Sequence, residues 1–122
     1  MYKKSVQSVK RAQKEAQIAR EIANLFLQVV RDNKELEGLF VNHVKLSADA
    51  GLCTVFFYTP DGKESFDKKL PLLILYKPSL RKALSQSLNL RYTPDLIFRY
   101  DVQGDKQREI EELLNKIKLE EQ

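Results

Sequence analysis

Two strand-like stretches, residues 39–47 and the more apolar residues 52–59, are separated by only four residues, and this spacing limits the possible folds more than any other feature of the chain. The link, Ala48-Asp49-Ala50-Gly51, has the composition of a turn, so the two stretches are predicted to pair as an antiparallel hairpin. His43 and Lys45 are expected on the outer face of this hairpin. The residues expected on its core face are Phe40, Val44, Leu46, Cys53, Val55 and Phe57.

Helical periodicity precedes and follows the hairpin. Residues 4–32 have an apolar residue every three or four positions, which predicts a long first helix that ends before Asn33. Residues 60–69 begin as a turn and continue as a charged run, so they are expected to form an exposed connection or, at most, a poor first helical turn. Residues 72–90 are predicted to form a second helix that is kinked or broken at Pro78, because proline removes a backbone donor and clashes with the preceding turn. The apolar positions of the first helix are Val9, Ala12, Ala16, Ala19, Ile22 or Ala23, Phe26 and Val29 or Val30.

The C-terminal part of the chain adds one strand and one helix. Residues 96–100 alternate as a third strand, residues 101–105 are expected to be a loop, and residues 107–119 have the period of a closing helix. One stripe of that helix is formed by Ile110, Leu113, Leu114 and Ile117. The order α-β-β-α-β-α predicts an α+β fold in which helices cover one face of a three-stranded sheet. We expect a single domain over residues 1–119, followed by a short acidic tail at 120–122.

The residue types that enzymes and metal sites need are scarce. His43 and Cys53 are the only residues of their kinds, so the chain cannot form an internal disulfide, and this pair cannot complete a structural zinc site. His43 is expected to be a surface residue of its strand, and Cys53 a small core residue. The four glycines, at positions 38, 51, 62 and 104, fit no phosphate-binding loop, no dinucleotide-binding motif and no Gly-x-x-Gly clamp of a standard KH domain. We therefore predict a protein that is not an enzyme and that needs neither a metal nor another cofactor.

Hydropathy indicates a soluble protein. Hydrophobic residues make up 43% of the chain and charged residues 31%, which allows both a core and a well-solvated surface. No stretch approaches the roughly 20 apolar residues of a membrane-spanning helix, and no secretory signal follows the basic N-terminus. A cytoplasmic location without a membrane partner is expected.

Positive charge is concentrated away from the C-terminus. The net charge is +4, yet residues 109–122 are rich in acids, whereas residues 3–20 are mostly basic. Cations of the first helix, together with those on and after the second, are predicted to form one electropositive surface that is free to meet phosphate. These cations are Lys10, Arg11, Lys14, Arg20, Lys77, Arg81, Lys82 and Arg91. The alternative, that they are ordinary solvated faces, stays open on this evidence alone.

Several motifs, in order, give the chain a family resemblance. The strongest is RYTPDLIFRYD at residues 91–101, in which an arginine precedes Pro-Asp-Leu and an aromatic strand that ends in aspartate. Others are REIA at 20–23, VVRD at 29–32, VKLSAD at 44–49 and CTVFF at 53–57. In this order and spacing the sequence resembles the bacterial ribosome-binding factor A family over residues 11–117. It departs from the family at the helix kink, where Tyr76-Lys77-Pro78 replaces the usual Ala-x-Gly, and it lacks the usual glycine before the last helix, near Gln107.

The resemblance implies a KH-like fold of type II, with a β-β-α-β core and no glycine clamp. It also implies a monomeric factor that binds 16S ribosomal RNA in free or immature 30S subunits and assists processing and maturation of that RNA, especially in the cold. Arg81 and Arg91 are the first candidates for RNA contact, because a guanidinium can grip phosphate through two donors and can stack on a base. The further candidates are Lys77 and Lys82, then Lys10, Arg11 and Lys14. The alternative function is that of a protein-interaction adaptor whose basic face is incidental.

Overall fold

The computed structural model describes the backbone of residues 6–121 and the side chains of residues 9–120. The predicted helix start at Lys4 and the last residue of the acidic tail, Gln122, lie outside this part. Helix α1 comes first (Val6–Asp32), followed by a 3₁₀ turn (Lys34–Leu36) that Asn33 caps by accepting the Glu35 N–H. The remaining elements are β1 (Phe40–Leu46), β2 (Leu52–Tyr58), α2 (Lys63–Ile74), α3 (Lys77–Leu88), β3 (Asp95–Tyr100) and α4 (Val102–Glu121). None of the described helices is long and apolar enough to cross a membrane.

The described strands form one sheet in the order β1-β2-β3. β1 and β2 pair antiparallel, as the short link between them predicts, and β3 pairs parallel to β2 after the chain has crossed over through α2 and α3. Cys53, Val55 and Phe57 are fully buried on the face that the helices cover. The prediction for the core face of β2 is therefore confirmed.

The prediction for β1 is wrong at Phe40. The β1–β2 register shifts between Val41 and His43, so Asn42 is an extra residue that reverses the phase of the strand. Val44 and Leu46 lie in the core as expected, but Phe40, on the other side of the bulge, is 55% exposed.

Only the part of α1 from Ile18 onward, little more than half of the helix, covers the sheet. The apolar residues of its first turns, Val9, Ala12 and Ala16, are exposed, whereas the buried stripe begins at Ile18. That stripe consists of Ile18, Ile22, Phe26 and Val29. The early turns of α1 therefore contribute little to the core, and their polar side chains face solvent beside the sheet.

Two expectations about the middle helices need correction. Helix α2 begins at Lys63, inside the stretch expected to be an exposed connection, because Phe66 is buried and packs on Phe57, with ring centroids 5.9 Å apart. The predicted interruption is present, but it lies at Leu75 and Tyr76, before Pro78. Pro78 falls in the first turn of α3, where a missing N–H costs nothing because that group has no partner inside the helix.

The closing helix also differs from its prediction. The expected loop at 102–105 is helical instead, since α4 begins at Val102, directly after β3. Asp101 caps it by accepting the Gly104 N–H at 2.9 Å, which explains how a helix starts at a segment with a glycine in it. The predicted apolar stripe of α4 exists but does not reach the core: its four members are 50–61% exposed.

Candidate nucleic-acid interface

The turn between β1 and β2 is held by its own side chains. Ser47 Oγ donates to Asp49 Oδ1 at 2.8 Å and accepts the Leu52 N–H at 3.0 Å, while Asp49 Oδ1 also accepts the Gly51 N–H at 2.9 Å. The bonds from Gly51 and Ser47, in that order, hold the pKa of Asp49 below its ordinary value. The Ser-x-Asp pattern therefore gives this end of the sheet a defined shape.

The carboxylate of Glu15 holds the N-terminal half of α1 beside this turn. Glu15 Oε2 accepts the backbone N–H of Leu46 at 2.7 Å, which joins α1 to the last residue of β1. Consequently Lys10, Arg11 and Lys14 line a hollow of about 430 Å³ together with the turn residues. All three side chains are exposed.

The loop after α3 is fixed against the same turn. Asn89 ends α3 in the left-handed conformation, with φ +50°, which redirects the chain toward the sheet. Arg81 Nε donates to the carbonyl of Pro94 at 3.1 Å, and Arg81 Nη2 donates to the carbonyl of Thr93 at 3.0 Å. The Asp95 N–H then donates to the carbonyl of Gly51 at 2.9 Å, so the loop and the hairpin turn form one frame.

This frame brings the two basic segments together. Lys14 and Arg91 line one cavity of about 460 Å³, with Asp49 and Tyr92 also in its wall. Tyr92 is 79% exposed, and Arg91 Cζ lies 5.7 Å from the centroid of its ring. Because Lys14 lines both hollows, the two lie side by side. We call the group Lys10, Arg11, Lys14, Arg91 and Tyr92 the basic cleft.

The cations of the basic cleft are available to a ligand. Among the side chains of residues 9–120, none of these four forms an ion pair. Two acids belong to the same region and are engaged elsewhere: Glu15, next to Lys14 in the chain, accepts the Leu46 N–H, and Asp49, in the wall of the 460 Å³ cavity, is bonded within the hairpin turn. The cleft therefore combines unpaired positive charge with one exposed aromatic ring, a combination suited to phosphate and base.

The other three candidate residues, Lys77, Arg81 and Lys82, lie on α3 and differ in their contacts. Arg81 is half-buried, and its guanidinium holds the 93–94 loop. Lys77 Nζ lies 5.7 Å from the ring centroid of the core residue Phe98. Lys82 is exposed and lines a hollow of about 500 Å³ with Arg81 and Thr93. Thr93 also borders the basic cleft, so Lys82 extends the same surface.

Tyr92 is the residue that sequence reasoning missed. The motif at 91–101 contains it, but no function was predicted for its ring. The available signal was an aromatic residue directly before Thr93-Pro94, outside the predicted strand 96–100, so that its ring had no place assigned in the core.

His43 and Cys53, the only histidine and cysteine of the chain, both lie in the sheet, the first on its surface and the second in the core. Cys53 is fully buried, and burial, with a smaller effect of the Glu15 charge, raises the pKa of its thiol to about 12. A thiol with so high a pKa stays protonated and is a poor nucleophile. His43 is an exposed strand residue, as predicted; its ring stacks on Phe56 with centroids 4.5 Å apart, and its Nδ1 lies 3.5 Å from Asp101 Oδ2.

Comparison of the sequence with known proteins identifies its family. Residues 10–114 match the family model described as ribosome-binding factor A. The chain belongs to the ribosome-binding factor A family. The ribosome-binding factor A of Geotalea uraniireducens is 33% identical over 115 residues, which is 93% of each chain.

Solved structures of ribosome-binding factor A agree with the fold. The crystal structure of the factor from Thermus thermophilus is 28% identical, with a TM-score of 0.61, over 74% of this chain and 94% of that one. A homology model of a Thermus thermophilus factor, fitted into a cryo-EM map of its complex with the 30S subunit, is 25% identical, with a TM-score of 0.55, over 70% and 88% of the two chains. The KH-like, α+β fold that the family resemblance implied is confirmed, with β1, β2, the interrupted helix α2–α3 and β3 as its β-β-α-β core.

Proposed function

We propose that this ribosome-binding factor binds 16S ribosomal RNA in free or immature 30S subunits through the basic cleft, and thereby assists processing and maturation of that RNA. The single observation behind this proposal is that Lys10, Arg11, Lys14 and Arg91 line two neighbouring hollows, one of which has the exposed ring of Tyr92 in its wall. The cations would contact backbone phosphates, and the Tyr92 ring would stack on an unpaired base. Binding of this kind needs no covalent step, metal or cofactor.

Two considerations favour the 30S subunit and a single bound copy. A Thermus thermophilus relative has been fitted into the map of a 30S complex, which makes the small subunit the natural target. All residues of the basic cleft come from one chain, so a monomer suffices to form the binding surface. The corresponding place of action is the cytoplasm, and assistance to RNA maturation would matter most in the cold, where misfolded RNA is slow to rearrange.

Co-sedimentation tests this function. We expect the protein to pellet with free or immature 30S subunits, poorly with assembled ribosomes and not with 50S subunits alone. Binding should weaken steeply between about 50 and 200 mM salt, because each phosphate contact releases counterions.

Two outcomes would contradict the proposal. Stable association with the 50S subunit alone would place the target elsewhere. Binding to 30S subunits that is insensitive to salt would indicate docking on a protein through apolar area, which is the adaptor function.

Tyr92→Ala should weaken binding to single-stranded segments of 16S ribosomal RNA at least fivefold. The reason is that stacking of a base on an aromatic side chain contributes about 1–3 kcal/mol, and the lower end applies to a ring on a loop. Fluorescence anisotropy with a labelled RNA at fixed salt would measure the change. Tyr92→Phe keeps the ring and should stay within about twofold of the original affinity, whereas Phe40→Ala removes an exposed ring at the other end of β1 and should have no effect. Equal losses in Tyr92→Ala and Phe40→Ala would exclude a stacking role.

A further inference from the structure

The sheet has a second face, opposite the core, that the described helices leave largely uncovered. Side chains that face away from the core alternate with buried ones along each strand, so those of β2 are mostly half-buried and several on the edge strands are exposed. Helix α4 closes only one end of this face, where Arg108 Cζ lies 3.4 Å from the ring centroid of Tyr58, and every side chain from residue 109 to residue 120 is exposed. We call the central part, formed by His43, Lys45, Phe56 and Arg99, the open face.

Three planar groups stand side by side across the open face. His43 is the partner of Phe56 in the register of β1 with β2, and Phe56 is the partner of Arg99 in the register of β2 with β3. The His43 ring stacks on the Phe56 ring, with centroids 4.5 Å apart and an angle of 14° between their planes. His43 therefore covers one side of Phe56, and the other side of that ring is turned toward β3, where Arg99 is exposed. Aromatic rings and guanidinium planes are the groups on which unpaired bases stack.

The charge of the open face is positive. Lys45 and Arg99 are both exposed, and among the side chains of residues 9–120 neither forms an ion pair. Of the two aspartates at the ends of β3, Asp95 accepts the Leu96 N–H at 3.1 Å, and Asp101 is only 6% exposed. Rings between unpaired cations are complementary to a chain of phosphates and bases, whereas the core of a protein–protein interface is depleted of charged residues.

A polar hollow adjoins the open face at His43. Its volume is about 410 Å³, and it is also lined by Gln103 and Gln107, which lie one turn apart on α4 and are both exposed. An amide has a donor and an acceptor, so it can form hydrogen bonds with the edge of a base whose plane is stacked nearby. The open face and this hollow therefore combine stacking, phosphate contacts and recognition of base edges.

The open face begins close to the basic cleft. Asp95 is the first residue of β3 and directly follows the loop that contains Arg91 and Tyr92. From Asp95 to Arg99 the strand rises by about 13 Å. A short single-stranded segment of RNA that leaves the cleft can therefore continue over the open face.

We propose that the open face is a second binding surface for single-stranded RNA, which continues the path of a strand held in the basic cleft. The stacked rings and Arg99 receive unpaired bases, and Lys45 contacts a neighbouring phosphate. This inference rests on the proposed function, because the same RNA reaches both surfaces. A single chain forms both of them.

Backbone NMR of the full chain, titrated with an oligouridylate of about eight nucleotides, tests the open face separately from the cleft. We expect the amide signals of Lys45, Phe56 and Arg99 to shift together with those around Tyr92. Shifts around Tyr92 alone would overturn this inference and leave the proposed function intact. Shifts on the open face alone would support the inference and contradict the assignment of the basic cleft, and the absence of shifts at both would contradict both.

Charge reversal separates the open face from the effect of total charge. The variant K45E/R99E should bind the same oligonucleotide at least tenfold more weakly, because two phosphate contacts are replaced by repulsion. The matched control K34E/K68E changes the net charge equally, at exposed positions of the 3₁₀ turn and α2, and should lose less than about threefold. Thermal melts of both variants should match the original protein, since all four positions are exposed. Equal losses in the two variants would overturn the inference.

His43→Ala tests the stacked rings. It should weaken binding of the oligonucleotide about fivefold, whereas His43→Phe keeps a ring on Phe56 and should stay within about twofold of the original affinity. An unchanged affinity in His43→Ala would overturn the inference, since the rings would then have no part in binding. The inference would also be wrong if K45E/R99E lost binding to 30S subunits while its affinity for the free oligonucleotide stayed the same, because the open face would then contact a ribosomal protein.

Discussion

Replacing Lys10, Arg11, Lys14 and Arg91 together by Ala is expected to lower the affinity for 16S ribosomal RNA by about two orders of magnitude or more at moderate salt. Each of these cations is exposed and unpaired, so each can replace a counterion on a phosphate. The plot of log affinity against log salt should become shallower by about 0.7–0.9 for each phosphate that no longer has a cation partner, hence by about three when all four side chains are removed. Binding titrations at four or more salt concentrations would measure both quantities.

The matched control removes as much charge from other surfaces. Arg31, Lys34, Lys68 and Lys106 are exposed and lie away from the basic cleft, and changing them to Ala also takes the net charge from +4 to zero. This control should lose less than about tenfold in affinity, because only long-range attraction is reduced. Equal losses in the two variants would show that total charge, not the cleft, determines binding. Thermal melts of both should match the original protein, since surface changes of this kind usually shift stability by about 0.5 kcal/mol or less.

The sequence could not distinguish Arg81 from Arg91 as binding residues. Both are arginines close to the same loop, and arginine suits phosphate in either place. Only the folded arrangement brings the carbonyls of Thr93 and Pro94 to the Arg81 guanidinium and leaves Arg91 beside Lys14 and Tyr92. Which donors are occupied is a tertiary property, and periodicity contains no information about it.

The parts of the fold that could be predicted are those that local pattern determines. Alternation predicted the correct core face of β2, and the four-residue link predicted the hairpin, because both depend on neighbours in sequence. Phe40 was misplaced because a bulge at Asn42 changes the phase of β1, and nothing in the alternation indicates an extra residue. The sequence predicts too short a helix α2 because its first turn is charged and has little helical periodicity. In the structure the burial of Phe66 against Phe57 outweighs that weak local preference.

The start of α4 also depends on a contact that local sequence preference does not predict, between Gly104 and Asp101. Gly104 suggested a loop, since glycine weakens a helix interior. In the structure its missing side chain is required, because a Cβ at this position would lie 2.7 Å from Asp101 Oδ2. The glycine therefore belongs to the helix cap, and the aspartate that ends the 91–101 motif is the other half of that cap.

Asp101 is the one buried carboxylate among the described residues, and its contacts extend beyond the cap. It is 6% exposed and accepts hydrogen bonds from the Gly104 N–H and from Asn42 Nδ2, in the bulge of β1. Its backbone N–H donates to the carbonyl of Phe57 at 2.9 Å. One side chain thus joins the edge strand, the end of β3 and the start of α4.

Asp101→Ala is expected to lower the free energy of unfolding by about 2–5 kcal/mol. Loss of an N-cap costs about 0.5–2 kcal/mol, and loss of a hydrogen bond to a charged group costs about 1.5–3 kcal/mol. Urea denaturation followed by circular dichroism would measure the change. Asp101→Asn keeps an acceptor for the Gly104 N–H and should lose about half as much, whereas Asp61→Ala, at an exposed turn, should change stability by about 0.5 kcal/mol or less. If Asp101→Ala were no more destabilising than Asp61→Ala, α4 would begin without its aspartate cap, and the close approach of Asp101 to Gly104 would have no energetic role.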